Sequence, residues 1–201
     1  MSLPEKLPPI STVLSLPSQT RAQILDLLFE PCPALHTLAL PLTSPTDATV
    51  GSSTTEPFAS YDDLIIAVGT SLNALVESTS SSDRQWLDTI LAAHPRLGEK
   101  KVDSALSSAE QAAMAAASAS QESTSKAEAE ELARLNDEYE AAFPGLRYVV
   151  FVAGRPRGVI MEDMRTRIRR GDGEMERREA IKVSLSLWVR YTEGGSLLRG
   201  E

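Results

Sequence analysis

The chain is predicted to fold as an all-α, single-domain bundle of roughly seven to nine helices. Three observations predict it. Apolar residues recur at helical spacing in one segment after another, as in Leu64, Ile65, Val68, Leu72, Leu75 and Val76. Prolines and small polar residues interrupt those segments where helices stop. Only one stretch, Tyr148-Val149-Val150-Phe151-Val152, has the composition of a strand, and a strand without a second one cannot satisfy its backbone.

The elements follow in order. Residues 1–15 are proline-punctuated and expected as an extended arm before a helical domain over 16–193 and a tail over 194–201. Residues 18–30 form an amphipathic helix with Ala22, Leu25, Leu28 and Phe29 on one face, stopped by Pro31-Cys32-Pro33. Residues 35–42 add a helical turn or two, and 41–60, rich in Ser, Thr and Pro, form an exposed loop. A helix over 61–77 carries the clearest apolar period. The helix over 82–93, with Ser82 and Gln85 at capping-box spacing, buries Trp86, Leu87, Ile90 and Leu91. Helices over 107–118 and 123–143 follow, with either a break at 121–125 or a continuous helix through it. Residues 148–152 are expected as an extended segment buried among helices, or as the beginning of one. Helices over 157–170 and 174–193 close the chain around Gly171-Asp172-Gly173, the last burying Ile181, Leu185, Trp188 and Val189.

Composition excludes several classes of function. With 201 residues, 42% apolar, the chain can bury one core but is short for two. A net charge of −8 opposes both a nucleic-acid partner and docking on anionic membranes. Cys32, the only cysteine, allows no intrachain disulfide and predicts a reducing compartment. No apolar run approaches the roughly 20 residues of a membrane span. A soluble intracellular protein is expected, cytoplasmic or peroxisomal, although Leu198-Arg199-Gly200-Glu201 is no Ser-Lys-Leu type signal. Glycine-rich phosphate loops, zinc-spaced Cys/His clusters and a serine-nucleophile elbow are all missing, so no metal or organic cofactor is expected.

Four elements carry candidate chemistry. His94-Pro95 stands where a helix must stop, because proline lacks an N–H and forces the preceding residue out of the α region. Helix-terminal carbonyls favour a protonated imidazole there, so His94 is expected to titrate near neutral pH and to suit acid/base work; the plainer alternative is a polar helix end before a turn. His36, in an apolar helical patch, is expected to be structural. Ser107 and Glu110 have capping-box spacing, which alone explains them, yet with Gln111 they also make a helix N-terminus suited to a small polar ligand. Leu146, Arg147, Tyr148, Val149 and Val150 offer either a buried connector or backbone groups for a planar, amide-rich ligand. Arg190 either clamps a carboxylate or spreads its stem over the core.

Taken in order, these motifs resemble the OHCU decarboxylases, the 2-oxo-4-hydroxy-4-carboxy-5-ureidoimidazoline decarboxylases of uric acid degradation. The resemblance lies in His94-Pro95-x-Leu97, Ser107-x-x-Glu110-Gln111, Leu135-Asn136-x-x-Tyr139 running into Phe143, the Val149–Val152 segment and Arg190. It implies an all-α, cofactor-free lyase, commonly a homodimer, that converts OHCU to (S)-allantoin and CO₂. It implies His94 and Glu110 as catalytic residues. It further implies Pro95, Ser107, Gln111, Leu146, Arg147, Tyr148, Val149, Val150 and Arg190 as substrate-binding. Where the family commonly reads Phe-Gly-Phe-Pro-Phe, this chain has Phe143-Pro144-Gly145-Leu146-Arg147-Tyr148. Two alternatives stay open at this point: a non-catalytic scaffold of the same fold, and an enzyme for a different ureido or imidazole acid.

Overall fold

The structure, a computed structural model, describes residues 7–44, 58–98, 122–152 and 155–193. Among them are seven α-helices, two short 3₁₀ helices and no strand, so the protein is all-α. The helices are α1 (Ser18–Leu28), α2 (Pro33–Ala39), α3 (Tyr61–Glu77), α4 (Ser81–Leu91), α5 (Glu122–Ala142), α6 (Arg157–Arg170) and α7 (Gly173–Glu193). The helix expected over 107–118 lies outside the described residues. So does most of the loop expected over 41–60, but its start, Pro41–Thr43, is a 3₁₀ helix with Thr43 buried rather than exposed loop. Of the break expected at 121–125, Gln121 lies outside the described residues, and Glu122 to Ser125 are instead the first turn of α5.

The N-terminal arm is shorter than its prolines suggest. Ile10–Ser15 winds into a 3₁₀ helix and drives Val13 into the core. The Tyr61 hydroxyl also donates to Pro8 O at 2.7 Å, tying the arm to the start of α3. An apolar residue with a core to join overrides the proline signal here.

Local rules explain most helix ends. Ser60 accepts from the Asp63 N–H at 3.1 Å while Asp63 accepts from the Ser60 N–H at 3.0 Å, a reciprocal capping box that starts α3. Pro33 opens α2 at its first position, where a missing N–H has no partner to lose. The capping box expected at Ser82 and Gln85 does not form. Helix α4 begins one residue earlier, Ser82 turns its hydroxyl to Ser80 at 2.6 Å, and Asp83 accepts from Ser78 at 2.5 Å instead.

Helices α3 and α7 form the spine of the bundle. They run antiparallel: Arg178 near the start of α7 meets Glu77 at the end of α3, and Thr192 near its end meets Asp62 at the start. Gly69 allows the close approach, since a Cβ there would fall 2.6 Å from Leu185 Cδ2. Helix α4 packs on α2, α3 and α7, and Arg177 of α7 grips Asp88 of α4 with two hydrogen bonds of 2.7 and 2.8 Å. Helix α5 pairs with α6, and α1 lies against α2 and α7. His36 has the structural place expected of it, bonded through Nε2 to Asp26 Oδ1 at 2.6 Å.

Residues 146–152 carry no helix or strand, although 148–152 have a strand's composition. Leu146, Tyr148, Val149 and Val152 are all buried.

Candidate active site

The site is built where α4 ends. Its last turn closes through the Ala92 N–H to Asp88 O at 2.8 Å, and the His94 N–H reaches back to Leu91 O at 3.4 Å. Pro95 then prevents continuation. The chain leaves as a short turn whose far side is fastened to α5. Arg96 holds Glu140 through Nε at 2.7 Å and Nη2 at 2.6 Å, and pairs with Asp137 at 3.0 Å. Asn136, itself buried, donates to Leu97 O at 3.0 Å. Gly98 closes the turn with φ +88°, a conformation that favours glycine, and a Cβ there would lie 2.8 Å from Leu132 Cδ2.

Glu140 also accepts a hydrogen bond from Arg147. The same carboxylate therefore anchors the turn of His94 and the start of the extended segment. Burial works against its charge, but Arg96 and Arg147 outweigh it and hold the carboxyl below the usual range. The two regions singled out in the sequence thus meet at the C-terminal end of α5.

His94 itself faces the other way, into the core, with only 8% of its surface exposed. Its Nε2 lies 2.8 Å from Ser184 Oγ on α7. Its Nδ1 lies 3.9 Å from Glu30 Oε1, at the point where the chain leaves α1. Trp188, one turn beyond Ser184, lies nearly parallel to the imidazole at 12°, with centroids 6.3 Å apart. Phe29 presses edge-on against that indole at 4.5 Å. The indole Nε1 is buried with no hydrogen-bond partner among the described residues.

Burial reverses the expected titration. The helix-end carbonyls favour the imidazolium, but removing the ring from water disfavours it more, and the pKa is pushed down to about 4. His94 is neutral at physiological pH, so its approach to Glu30 is not an ion pair there. A neutral imidazole offers one N–H and one lone pair and can accept a proton from a ligand.

The extended segment is supported from behind by a buried polar network. The Arg167 guanidinium donates to Val149 O at 3.1 Å, lies 3.0 Å from Glu176 and sits over the Tyr148 ring at 4.9 Å. Tyr139 donates to Glu176 at 2.6 Å, and Tyr148 donates to Asp163 at 2.5 Å. Burial, reinforced by the neighbouring carboxylates, pushes both phenols up. Burial opposes the charge on Arg167 too, yet Glu176 and its other neighbours raise its pKa.

The proposed binding residues are therefore placed unevenly. Pro95 is half-buried beside His94. The side chains of Leu146, Tyr148 and Val149 point into the core, and Arg147 is engaged with Glu140. Val150 is half-buried. Arg190 is exposed, its guanidinium 4.5 Å over the Phe151 ring at the far end of the extended segment. Ser107, Glu110 and Gln111 lie outside the described residues. Two neighbours of His94 escaped the sequence reading. Ser184 had a signal, a polar residue on the stripe of Ile181 and Trp188; Glu30 had none beyond closing an amphipathic helix. Among the described residues no three His, Cys, Asp or Glu side chains are grouped to hold a metal ion, and no helix is long and apolar enough to cross a membrane.

None of the curated proteins matches the chain. Residues 14–184 match the family model for OHCU decarboxylase. That span takes in Glu30, His94, the 146–152 segment and Ser184, and stops short of Arg190. Covering most of the 201 residues, it shows that the chain belongs to the OHCU decarboxylase family.

Proposed function

We propose that the protein is a cofactor-independent carboxy-lyase that converts OHCU to (S)-allantoin and CO₂, with His94 as acid/base and Glu110 fixing the ring or its hydroxyl. One observation carries this reading: the family match over residues 14–184 contains both His94 and Glu110. The chemistry suits a site without an electron sink. OHCU bears its carboxylate on a ring carbon next to a C=N group. As the bond to CO₂ breaks, its electron pair flows into that group, and a proton must then reach one face of the ring. The protein's task is to hold the carboxylate in line for cleavage and to control that proton.

A neutral His94 supports such a role, because it can take up a proton within the complex and return one to carbon. The rigid attachment of its turn to α5 supports a single direction of delivery. The indole N–H of Trp188, without a partner among the described residues, is a donor on the ring that lies parallel to the imidazole, and a ligand carbonyl would satisfy it. On this reading Ser107, Gln111, Pro95 and the 146–150 backbone orient the planar substrate, Arg190 lies near its anionic side, and the protein acts as a homodimer.

Co-crystallisation with allantoin tests the placement. The product is expected between His94 and Glu110. Allantoin bound elsewhere, with no contact to either residue, removes the assignment of both as catalytic.

A further inference from the structure

We propose that Glu30 and Ser184 are positioning residues that fix the tautomer of His94, with the proton on Nδ1 and the lone pair on Nε2. The consequence for catalysis rests on the decarboxylase reading; the tautomer does not.

A neutral imidazole must place its one hydrogen on one of two nitrogens, and the partners decide which. The carboxyl oxygen of Glu30 faces Nδ1 at 3.9 Å, with both side chains almost fully buried. As an ionised carboxylate, the state this assignment takes for it, Glu30 only accepts. With the hydrogen on Nδ1 this approach is attractive; with the lone pair there, two electron-rich atoms face each other where solvent screens little. The hydroxyl of Ser184, by contrast, either donates or accepts. At 2.8 Å from Nε2 it serves the tautomer that Glu30 selects by donating to the lone pair.

The ring is also held against turning over. Trp188 lies parallel to it from the same face of α7 as Ser184, and Phe29 braces the indole from the residue before Glu30. Glu30 is the acidic side chain that meets His94 from the α1 side, and Ser184 and Trp188 meet it from α7. Arg96, on the turn of His94 itself, is directed to Glu140 and Asp137 on α5. Nε2 is thereby the basic nitrogen, which Ser184 caps and yields to the substrate's own donor.

Long-range ¹H–¹⁵N correlation NMR of the full chain at neutral pH reads the tautomer directly. The protein has two histidines, so a His36→Gln variant leaves His94 as the only imidazole observed. The expected spectrum has a protonated Nδ1 and a bare Nε2. In Glu30→Gln the preference weakens or inverts, and in Ser184→Ala the Nε2 resonance moves toward that of an unbonded lone pair. For turnover, Ser184→Ala lowers kcat by about tenfold with KM little changed, and Ser184→Thr, which keeps the hydroxyl, restores it. A protonated Nε2 in the protein with native Glu30 and Ser184 overturns the proposal, as does a spectrum that neither variant alters. If the protein shows the Nδ1–H tautomer but never turns over OHCU, the decarboxylase reading fails and the tautomer assignment stands.

Discussion

Arg96 and Glu140, forty-four residues apart, are joined by two hydrogen bonds of 2.7 and 2.6 Å, and this pair fastens the turn of His94 to the end of α5. Because Arg147 shares the same carboxylate, Glu140 is a common anchor for both halves of the candidate site. Glu140→Gln weakens charge-assisted bonds to two arginines that are about one-third exposed, so solvent recovers part of the loss. A destabilisation of about 1–2 kcal/mol is expected in urea denaturation. Turnover should fall by more than the loss of folded protein accounts for, because both site segments lose their fixed spacing.

The Arg167–Glu176 pair behaves differently because it is deeply buried, with Glu176 at 0% exposure. Removing Glu176 takes from the buried Arg167 its deepest partner and leaves it to the more exposed Glu179, 3.0 Å away. Glu176→Ala should cost about 3–5 kcal/mol, and Arg167→Met combined with Glu176→Leu should recover much of it. Denaturation of both variants measures this; a double variant as weak as the single one contradicts the burial argument.

His94 makes stability depend on pH. Its pKa of about 4 in the folded chain lies below the 6.5 of an ordinary imidazole, so the unfolded chain binds more protons between those values. Stability contributed by keeping this ring neutral is present above 6.5 and is lost as pH falls toward 4, reaching about 3 kcal/mol. Urea midpoints across that window should fall with pH, and a His94→Gln variant should show a shallower decline. Equal slopes in the two proteins would contradict the burial of the ring.

Gly98 closes the same turn with φ +88°. Gly98→Ala forces a side chain into that conformation and against Leu132, at an expected cost of about 1–2 kcal/mol. A thermal scan checks it: the midpoint should drop by several degrees, and an unchanged midpoint contradicts the strain.

Much of this arrangement was legible in the chain. The α3 bounds, Tyr61–Glu77, follow from an uninterrupted apolar period and a local cap at Ser60. The buried, ladder-free course of residues 148–152 follows from strand composition without a second strand. What stayed hidden depends on distant contacts. Ser184 meets His94 across ninety residues of sequence. Glu30 is buried just past the point where Phe29 leaves the helix with φ −126° and ψ 174°. The titration of His94 is hidden from the sequence for the same reason. Its helix-end position is local and visible, whereas the desolvation that outweighs it comes from α1 and α7.

Circular dichroism of the product tests the central claim most directly. OHCU decays unaided to racemic allantoin, so purified protein given freshly generated OHCU should yield optically active (S)-allantoin faster than the spontaneous reaction. His94→Ala should lose about 10²–10⁴-fold of that rate. Racemic allantoin formed at the spontaneous rate by the native protein would contradict the account.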